Sequence, residues 1–74
     1  MEKPELNDFE RYALWWIGND RMITLNAQNS WLEDFDALVK YGYVRREVFE
    51  SRGRVYTITQ AGDARATSEF GGLS

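Results

Sequence analysis

Two groups of charged side chains are the residues of this chain whose types and spacing could do chemistry. The acidic group comprises Glu33, Asp34 and Asp36, and the basic group comprises Arg45, Arg46, Arg52 and Arg54. The 74 residues include no histidine and no cysteine, so the commonest general base and the thiolate ligands of metals are missing. The serines have no histidine to activate them, and no Gly-rich phosphate loop is present. We therefore predict no catalytic residue, no metal, no cofactor and no small-molecule substrate, and hence no enzyme.

Length and composition predict a single small domain. A chain of 74 residues is long enough for one thin core, and we place the domain at residues 1–70 and a flexible tail at 71–74. No apolar run approaches the ~20 residues of a membrane span. Charged residues follow the N-terminal Met at once, which is unlike a signal peptide. We expect a cytoplasmic protein that does not contact a membrane.

The first half of the chain predicts a helix, a short strand and a second helix. The first helix can start at Pro4 or at Asn7, where Glu10 would complete a capping box with Asn7. Gly18-Asn19-Asp20 suits its end. Residues 21–25 alternate like a short strand. Ser30 and Glu33 form the pattern of a second capping box, which predicts a helix over residues 31–41.

The stretch from Leu38 to Gly62 predicts a helix end, a hairpin and the start of a third helix. Gly42 stands where helices often end in a left-handed residue. Residues 43–50 and 54–59 have strand character, and Ser51-Arg52-Gly53 is a turn signal between them. Thr59 can cap a helix over about 61–69, and Phe70 could hold that helix against the body. We expect one core to hold six side chains, namely Phe9, Trp16, Phe35, Leu38, Tyr56 and Ile58.

This stretch resembles the C-terminal half of the winged-helix family. The likeness is carried by Leu38, Gly42, the apolar pair Tyr43-Val44, the charged tip Arg52-Gly53-Arg54, and the closing pattern Y-x-[IL]-T-x-x-G at residues 56–62. The resemblance implies an α+β fold with a hairpin wing, in which the strand near Ile23 joins the hairpin as a third strand. In size and style the chain is also similar to small winged-helix-like proteins that phages and prophages carry.

One departure from the family pattern bears on function. Winged-helix proteins that read DNA have a supporting helix before the recognition helix, but between Ile23 and Ser30 there is room for only one turn. The helix in the recognition position also begins with Glu33, Asp34 and Asp36, whereas neutralising phosphates requires Lys or Arg. A truncated winged helix that does not insert this helix into a DNA groove fits better.

Two binding functions from different classes remain open. The first is a small regulatory or inhibitory protein that contacts another protein through Glu33, Asp34, Asp36, Trp31 and Tyr41, since exposed aromatic side chains and complementary charge are typical of binding surfaces. The second is a DNA-binding regulator that uses a basic wing of Arg45, Arg46, Arg52 and Arg54. Plain solubility and helix-dipole effects would explain the same charges without any partner. The sequence leaves monomer and homodimer both open.

Charge reversal separates the two functions. Changing Arg52 and Arg54 to Glu should abolish binding if the wing contacts DNA and should matter little if the acidic helix contacts a protein. Reversing Glu33, Asp34 and Asp36 should give the opposite result. Fluorescence anisotropy with duplex DNA and pull-down of protein partners measure the two outcomes.

Overall fold

The computed structural model describes residues 5–51 and 53–71, and it contains an α+β arrangement of helices around an antiparallel sheet. In chain order the elements are α1 (Asp8–Asp20), β1 (Met22–Leu25), α2 (Leu32–Lys40), β2 (Val44–Phe49), β3 (Gly53–Ile58) and α3 (Gln60–Phe70). This order confirms the predicted fold class, and the layout is consistent with that of a winged helix. Pro4, Arg52 and residues 72–74 lie outside the described residues.

The sheet has the order β1-β3-β2, so β3 lies in the middle. The hairpin pairs Val44 with Ile58 and Arg46 with Tyr56. On the other side of β3, Ile23 pairs with Tyr56. The prediction that a short early strand joins the hairpin is thus confirmed. The connection from Asn26 to Trp31 contains turns and no helix, as the spacing predicted.

Helix α1 begins and ends where the sequence predicts. The Asn7 side chain accepts a hydrogen bond from the Glu10 N–H at 2.7 Å, and Glu10 accepts one from the Asn7 N–H at 3.0 Å, which completes the capping box. The predicted end at Gly18-Asn19-Asp20 is confirmed, because Asp20 is the last helical residue, and Gly18 is buried within the final turn. Arg21 ends it with a φ of 70°. A hydrogen bond of 3.0 Å from the Trp16 indole N–H to Asp20 supports this last turn.

Helix α2 lacks the capping box that the sequence predicts at Ser30. The residue in the N-cap position is Trp31, and its side chain makes no capping hydrogen bond. The Trp31 N–H instead donates to the Asn29 side chain at 2.8 Å. The Asn29 side chain thus closes a local turn just before α2, and such a turn is an alternative to the predicted box.

The core lies between the helices and one face of the sheet. Its largest fully buried side chains are Tyr56, Phe35, Leu14, Ile17 and Leu38. Trp16 and Ile58 are half-buried against this core, as expected. The placement of Phe9 in the core is wrong, because 65% of its surface is exposed. Helix α1 has two adjacent apolar stripes, and Leu14 belongs to the one that turns inward.

A junction at the end of β3 fixes α3 to the turn before β2. Thr59 donates its hydroxyl to the Gly42 carbonyl at 2.7 Å and accepts the Gly62 N–H at 3.0 Å. The Thr59 N–H donates to the Tyr43 carbonyl at 2.9 Å. A Cβ on Gly62 would overlap that same Tyr43 carbonyl oxygen. The predicted cap at Thr59 is confirmed, and the third helix can approach this closely only because residue 62 is a glycine.

At its far end, α3 runs one residue past the predicted limit, to Phe70. The side chain of Phe70 is half-buried against the core, as the sequence suggested. Gly71, expected to begin the tail, adopts a left-handed conformation with φ of 69° and donates its N–H to the Thr67 carbonyl at 2.9 Å. Gly71 therefore ends the helix.

Replacing Gly62 with alanine should unfold the domain more readily, although alanine is favoured in helices by about 1 kcal/mol. The new methyl group would meet backbone at Tyr43, so α3 would have to move, and the net loss of stability should be about 3 kcal/mol or more. Gly42→Ala is the matched control. Gly42 has a φ of 85° and no atom near the added methyl, so only the left-handed strain of about 1–2 kcal/mol applies. Denaturant midpoints measure both, and equal losses would contradict the close-approach explanation.

Candidate protein-contact surface

Trp31 is the centre of an aromatic cluster that joins α1 to the start of α2. The Tyr12 ring stacks on it with centroids 5.2 Å apart and an angle of 27°. Phe9 and Trp16 meet it edge-on, at 6.1 Å and 6.2 Å. Tyr12 also contacts Trp15 at 5.7 Å. We call Phe9, Tyr12, Trp15 and Trp31 the Trp31 surface.

Much of the Trp31 surface is open to solvent. The exposed fraction is 65% for Phe9, 54% for Tyr12 and 43% for Trp15, while Trp31 itself is half-buried. Phe9, Tyr12 and Trp15 follow one another at helical spacing along the outer stripe of α1, and with Trp31 beside them they form a continuous patch. Exposed aromatic side chains in one patch are unusual for a small domain and are typical of a contact site.

Two shallow depressions flank the Trp31 ring. One is lined by Phe9, Ser30, Trp31, Glu33 and Asp34. The other is lined by Tyr12, Trp15, Trp16, Asp20 and Trp31. Each depression combines aromatic walls with at least one carboxylate, so the surface offers both apolar area and negative charge to a partner.

The acidic side chains at the start of α2 do not share one environment. Glu33 is exposed and Asp34 is half-buried. Burial raises the pKa of the Asp34 carboxyl, and the nearby charges of Glu33 and Glu10 raise it further. The carboxylates of Glu10, Glu33 and Asp34 form no salt bridge with another described residue. Within the described residues, the negative charge beside Trp31 is therefore uncompensated.

Asp36 points the other way and serves the fold. Its Oδ1 accepts hydrogen bonds from the Tyr56 hydroxyl at 2.7 Å and from the Arg46 guanidinium at 2.9 Å. It thereby ties α2 to both strands of the hairpin. The sequence grouped Asp36 with Glu33 and Asp34, but the structure separates its side chain from the Trp31 surface.

Tyr41, the remaining predicted contact residue, also lies apart from the two depressions. Its hydroxyl donates to Glu10 at 3.4 Å, and its ring meets Tyr43 edge-on at 6.2 Å. Tyr41 is half-buried in these contacts. The structure thus brings together Trp31, Glu33 and Asp34 of the predicted contact residues and leaves Asp36 and Tyr41 elsewhere.

The strand register separates the arginines of the predicted basic wing. Arg46 pairs with the buried Tyr56 and so lies on the face of the sheet that carries the helices. Its neighbour Arg45 pairs with Thr57 and lies on the opposite face. Arg54 pairs with Val48, which lies two residues from Arg46 and so on the same face. Arg54 is therefore on the face of Arg46, and it is half-buried. Arg52 lies outside the described residues.

Phe9, Tyr12 and Trp15 are the surface residues that the predicted contact set missed. The sequence analysis placed Phe9 in the core and assigned neither Tyr12 nor Trp15 to the contact set. The available signal was the aromatic count of three Trp, four Tyr and four Phe, which is large for a core of this size. Periodicity alone did not say which of two adjacent stripes faces out.

The described residues contain no group of three or more acidic side chains placed to hold a metal ion. None of their helices combines the length and the apolar character needed to cross a membrane.

The Tyr56 hydroxyl should lose its proton only at high pH, and its ionisation should destabilise the fold. Burial, and then the hydrogen bond to Asp36, raises its pKa from 10.0 to about 12. The folded state therefore holds this proton more tightly than the unfolded state. Tyr56 therefore does not change the free energy of unfolding below about pH 10. Between about pH 10 and 12 its ionisation lowers that free energy by up to about 3 kcal/mol. Urea unfolding across this range measures the effect.

The control pair for this titration is Tyr56→Phe and Tyr12→Phe. Tyr56→Phe removes the hydroxyl, so the fall in stability above pH 10 should shrink, at the cost of about 1 kcal/mol near neutral pH. Tyr12→Phe removes an exposed hydroxyl and should leave the fall intact. An unchanged pH dependence in Tyr56→Phe would show that another group is responsible.

The chain was compared with protein families, characterised proteins and solved structures. No family model matches it, and neither a characterised protein nor a solved structure does. The winged-helix likeness therefore remains a resemblance carried by the residues from Leu38 to Gly62, together with a layout of helices and hairpin that is consistent with it.

Proposed function

We propose that this chain is a small, non-enzymatic regulatory or inhibitory protein that binds another protein through the Trp31 surface. The observation that carries the proposal is the exposed aromatic patch on α1, with Trp31 at its centre and uncompensated carboxylates beside it. The proposed compartment is the cytoplasm. The likeness to small phage proteins suggests a host or viral protein as the partner.

The aromatic part of the surface suits a binding hot spot. Large rigid rings bury much area on contact and lose little side-chain entropy, which is why Trp and Tyr dominate the energetics of many interfaces. Here the rings also hold one another in place, since Tyr12 stacks on Trp31 and Trp31 meets the half-buried Trp16. A surface that is already ordered in the free protein loses less free energy on binding.

The charge on the surface narrows the class of partner. Glu33 and Asp34 lie at the edge of one depression and Asp20 at the edge of the other. Negative charge steers a basic protein surface toward the contact and repels the phosphates of nucleic acid. A protein partner with apolar and basic side chains therefore fits this surface better than DNA does.

The alternative function, a DNA-binding regulator with a basic wing, uses other residues. Arg45 is exposed on the face of the sheet away from the helices, and Arg54 lies toward the helices. Arg46 is already paired with Asp36 at 2.9 Å. A wing contact would need these side chains to reach one phosphate backbone, and they start from two faces of the hairpin.

The charge-reversal experiment should leave Asp36 unchanged, because its loss would disturb Tyr56 and Arg46. We expect Tyr12→Ser, and separately Glu33→Lys with Asp34→Lys, to reduce capture of the partner by roughly tenfold or more. Met22→Ser is the matched control. Met22 is 60% exposed and lies on the outer face of the sheet, away from α1. Photo-crosslinking from position 12, compared with position 22, identifies the captured protein.

Salt-dependent binding to DNA would contradict this proposal. Random duplex DNA, followed by fluorescence anisotropy, should not bind even at low salt. Binding whose logarithm falls steeply with the logarithm of salt concentration would show that several phosphates are neutralised. If Arg54→Glu then abolished that binding while Tyr12→Ser had no effect, the wing would be the functional surface and the present proposal would be wrong.

A further inference from the structure

Strand β2 leaves one of its edges open. The sheet order β1-β3-β2 makes β2 an outer strand, and no described residue pairs with its free edge. Val48 on this strand is a large apolar residue with 67% of its surface exposed. An open edge with exposed apolar side chains is a template for pairing with another strand.

The sequence of β2 is complementary to itself in the antiparallel sense. The strand reads VRREVF from Val44 to Phe49. When two copies are laid antiparallel with Arg46 opposite Arg46, Arg45 of each copy lies opposite Glu47 of the other. In the same register Val44 lies opposite Val48. A two-fold axis through Arg46 thus produces two charge pairs and two apolar pairs from one short strand.

Other registers near this one are disfavoured. In an antiparallel pair, directly opposed residues must both turn their backbone groups toward the partner strand or both turn them away. The two-fold axis must therefore pass through one residue of the strand and not between two residues. The alternatives nearest to Arg46 are axes through Arg45 and through Glu47. An axis through Arg45 would oppose two arginines on the outer face, and an axis through Glu47 would oppose two glutamates. Only the axis through Arg46 pairs opposite charges there.

The charged side chains on the outer face are free to make these pairs. Arg45 and Glu47 are exposed, and neither forms a salt bridge with another described residue. The opposed Arg46 side chains are each neutralised by Asp36 of their own copy at 2.9 Å. Their mutual repulsion is therefore reduced.

The surface beside the strand has room for a second copy. An open groove runs along the start of β2, with Val39, Val44, Arg46 and Glu47 among its walls. In the register through Arg46, the exposed Val48 of one copy lies opposite Val44 of the other, next to this groove. Burial of Val48 there would remove an exposed apolar side chain from water.

We propose that β2 pairs antiparallel with β2 of a second copy, giving a two-fold homodimer with a continuous six-stranded sheet. The register is centred on Arg46 and is held by Arg45–Glu47 pairs on the outer face and Val44–Val48 pairs on the inner face. This interface uses none of the residues of the Trp31 surface. The dimer would therefore present two copies of that surface, and the two proposals can fail independently.

A charge-swap series on the full chain tests this interface, with association followed by sedimentation equilibrium from micromolar to millimolar concentration. The unmodified chain should dimerise. Arg45→Glu and Glu47→Arg should each weaken the dimer by roughly tenfold or more, because each replaces two attractive pairs with two repulsive ones. The double variant restores both attractive pairs and should dimerise again.

Mixing the two single variants gives the sharpest readout. In the mixed dimer the two introduced residues face the opposite charge, so a heterodimer should form although neither variant associates alone. Formation of that heterodimer would also show that both variants are folded. A chain that stays monomeric at the highest concentration would overturn the proposal. So would a dimer that both single variants leave unchanged, since its interface would lie elsewhere.

Discussion

The close contact between Gly62 and the Tyr43 carbonyl is the constraint on which the arrangement of the other elements depends. That carbonyl accepts the Thr59 N–H, and Thr59 in turn holds Gly42 and the first turn of α3. The end of β3, the start of β2 and the third helix therefore meet within a few residues. In a chain with a thin core and no disulfide, such a junction fixes the hairpin relative to the helices.

The same rigidity extends to the surface through aromatic contacts. Tyr56 in the sheet touches Phe35, Phe35 touches Trp16, and Trp16 touches Trp31. The chain of rings runs from a fully buried side chain to one that is half-exposed. The Trp31 surface is thus held from beneath by the core, and a contact there is held in place by the same packing that stabilises the fold.

Local signals in the sequence predicted most of the fold, whereas tertiary packing decided the site. The capping box at Asn7, the left-handed Gly42 and the cap at Thr59 each depend on a few adjacent residues, and the structure confirms them. The outward turn of Phe9 depends on which stripe of α1 meets α2 and the sheet, which periodicity cannot settle. The box at Ser30 does not form, and the Asn29 side chain makes a local turn with the Trp31 N–H instead.

The carboxylates of α2 show why a charge cluster in sequence need not be a cluster in space. Asp36 lies nearly one helical turn after Glu33, where its carboxylate reaches the hairpin, while Glu33 and Asp34 line the depression beside Trp31. Asp36 neutralises Arg46 and accepts the Tyr56 hydroxyl. Because Arg46 is paired with Asp36, Arg45 is the arginine of β2 that has no salt bridge with another described residue, and Glu47 lies on the same face. The alternation of the strand places Arg45 and Glu47 on the outer face, and the Asp36 contact neutralises the arginine on the other face, so the charges that β2 can offer to a second copy are one cation and one anion.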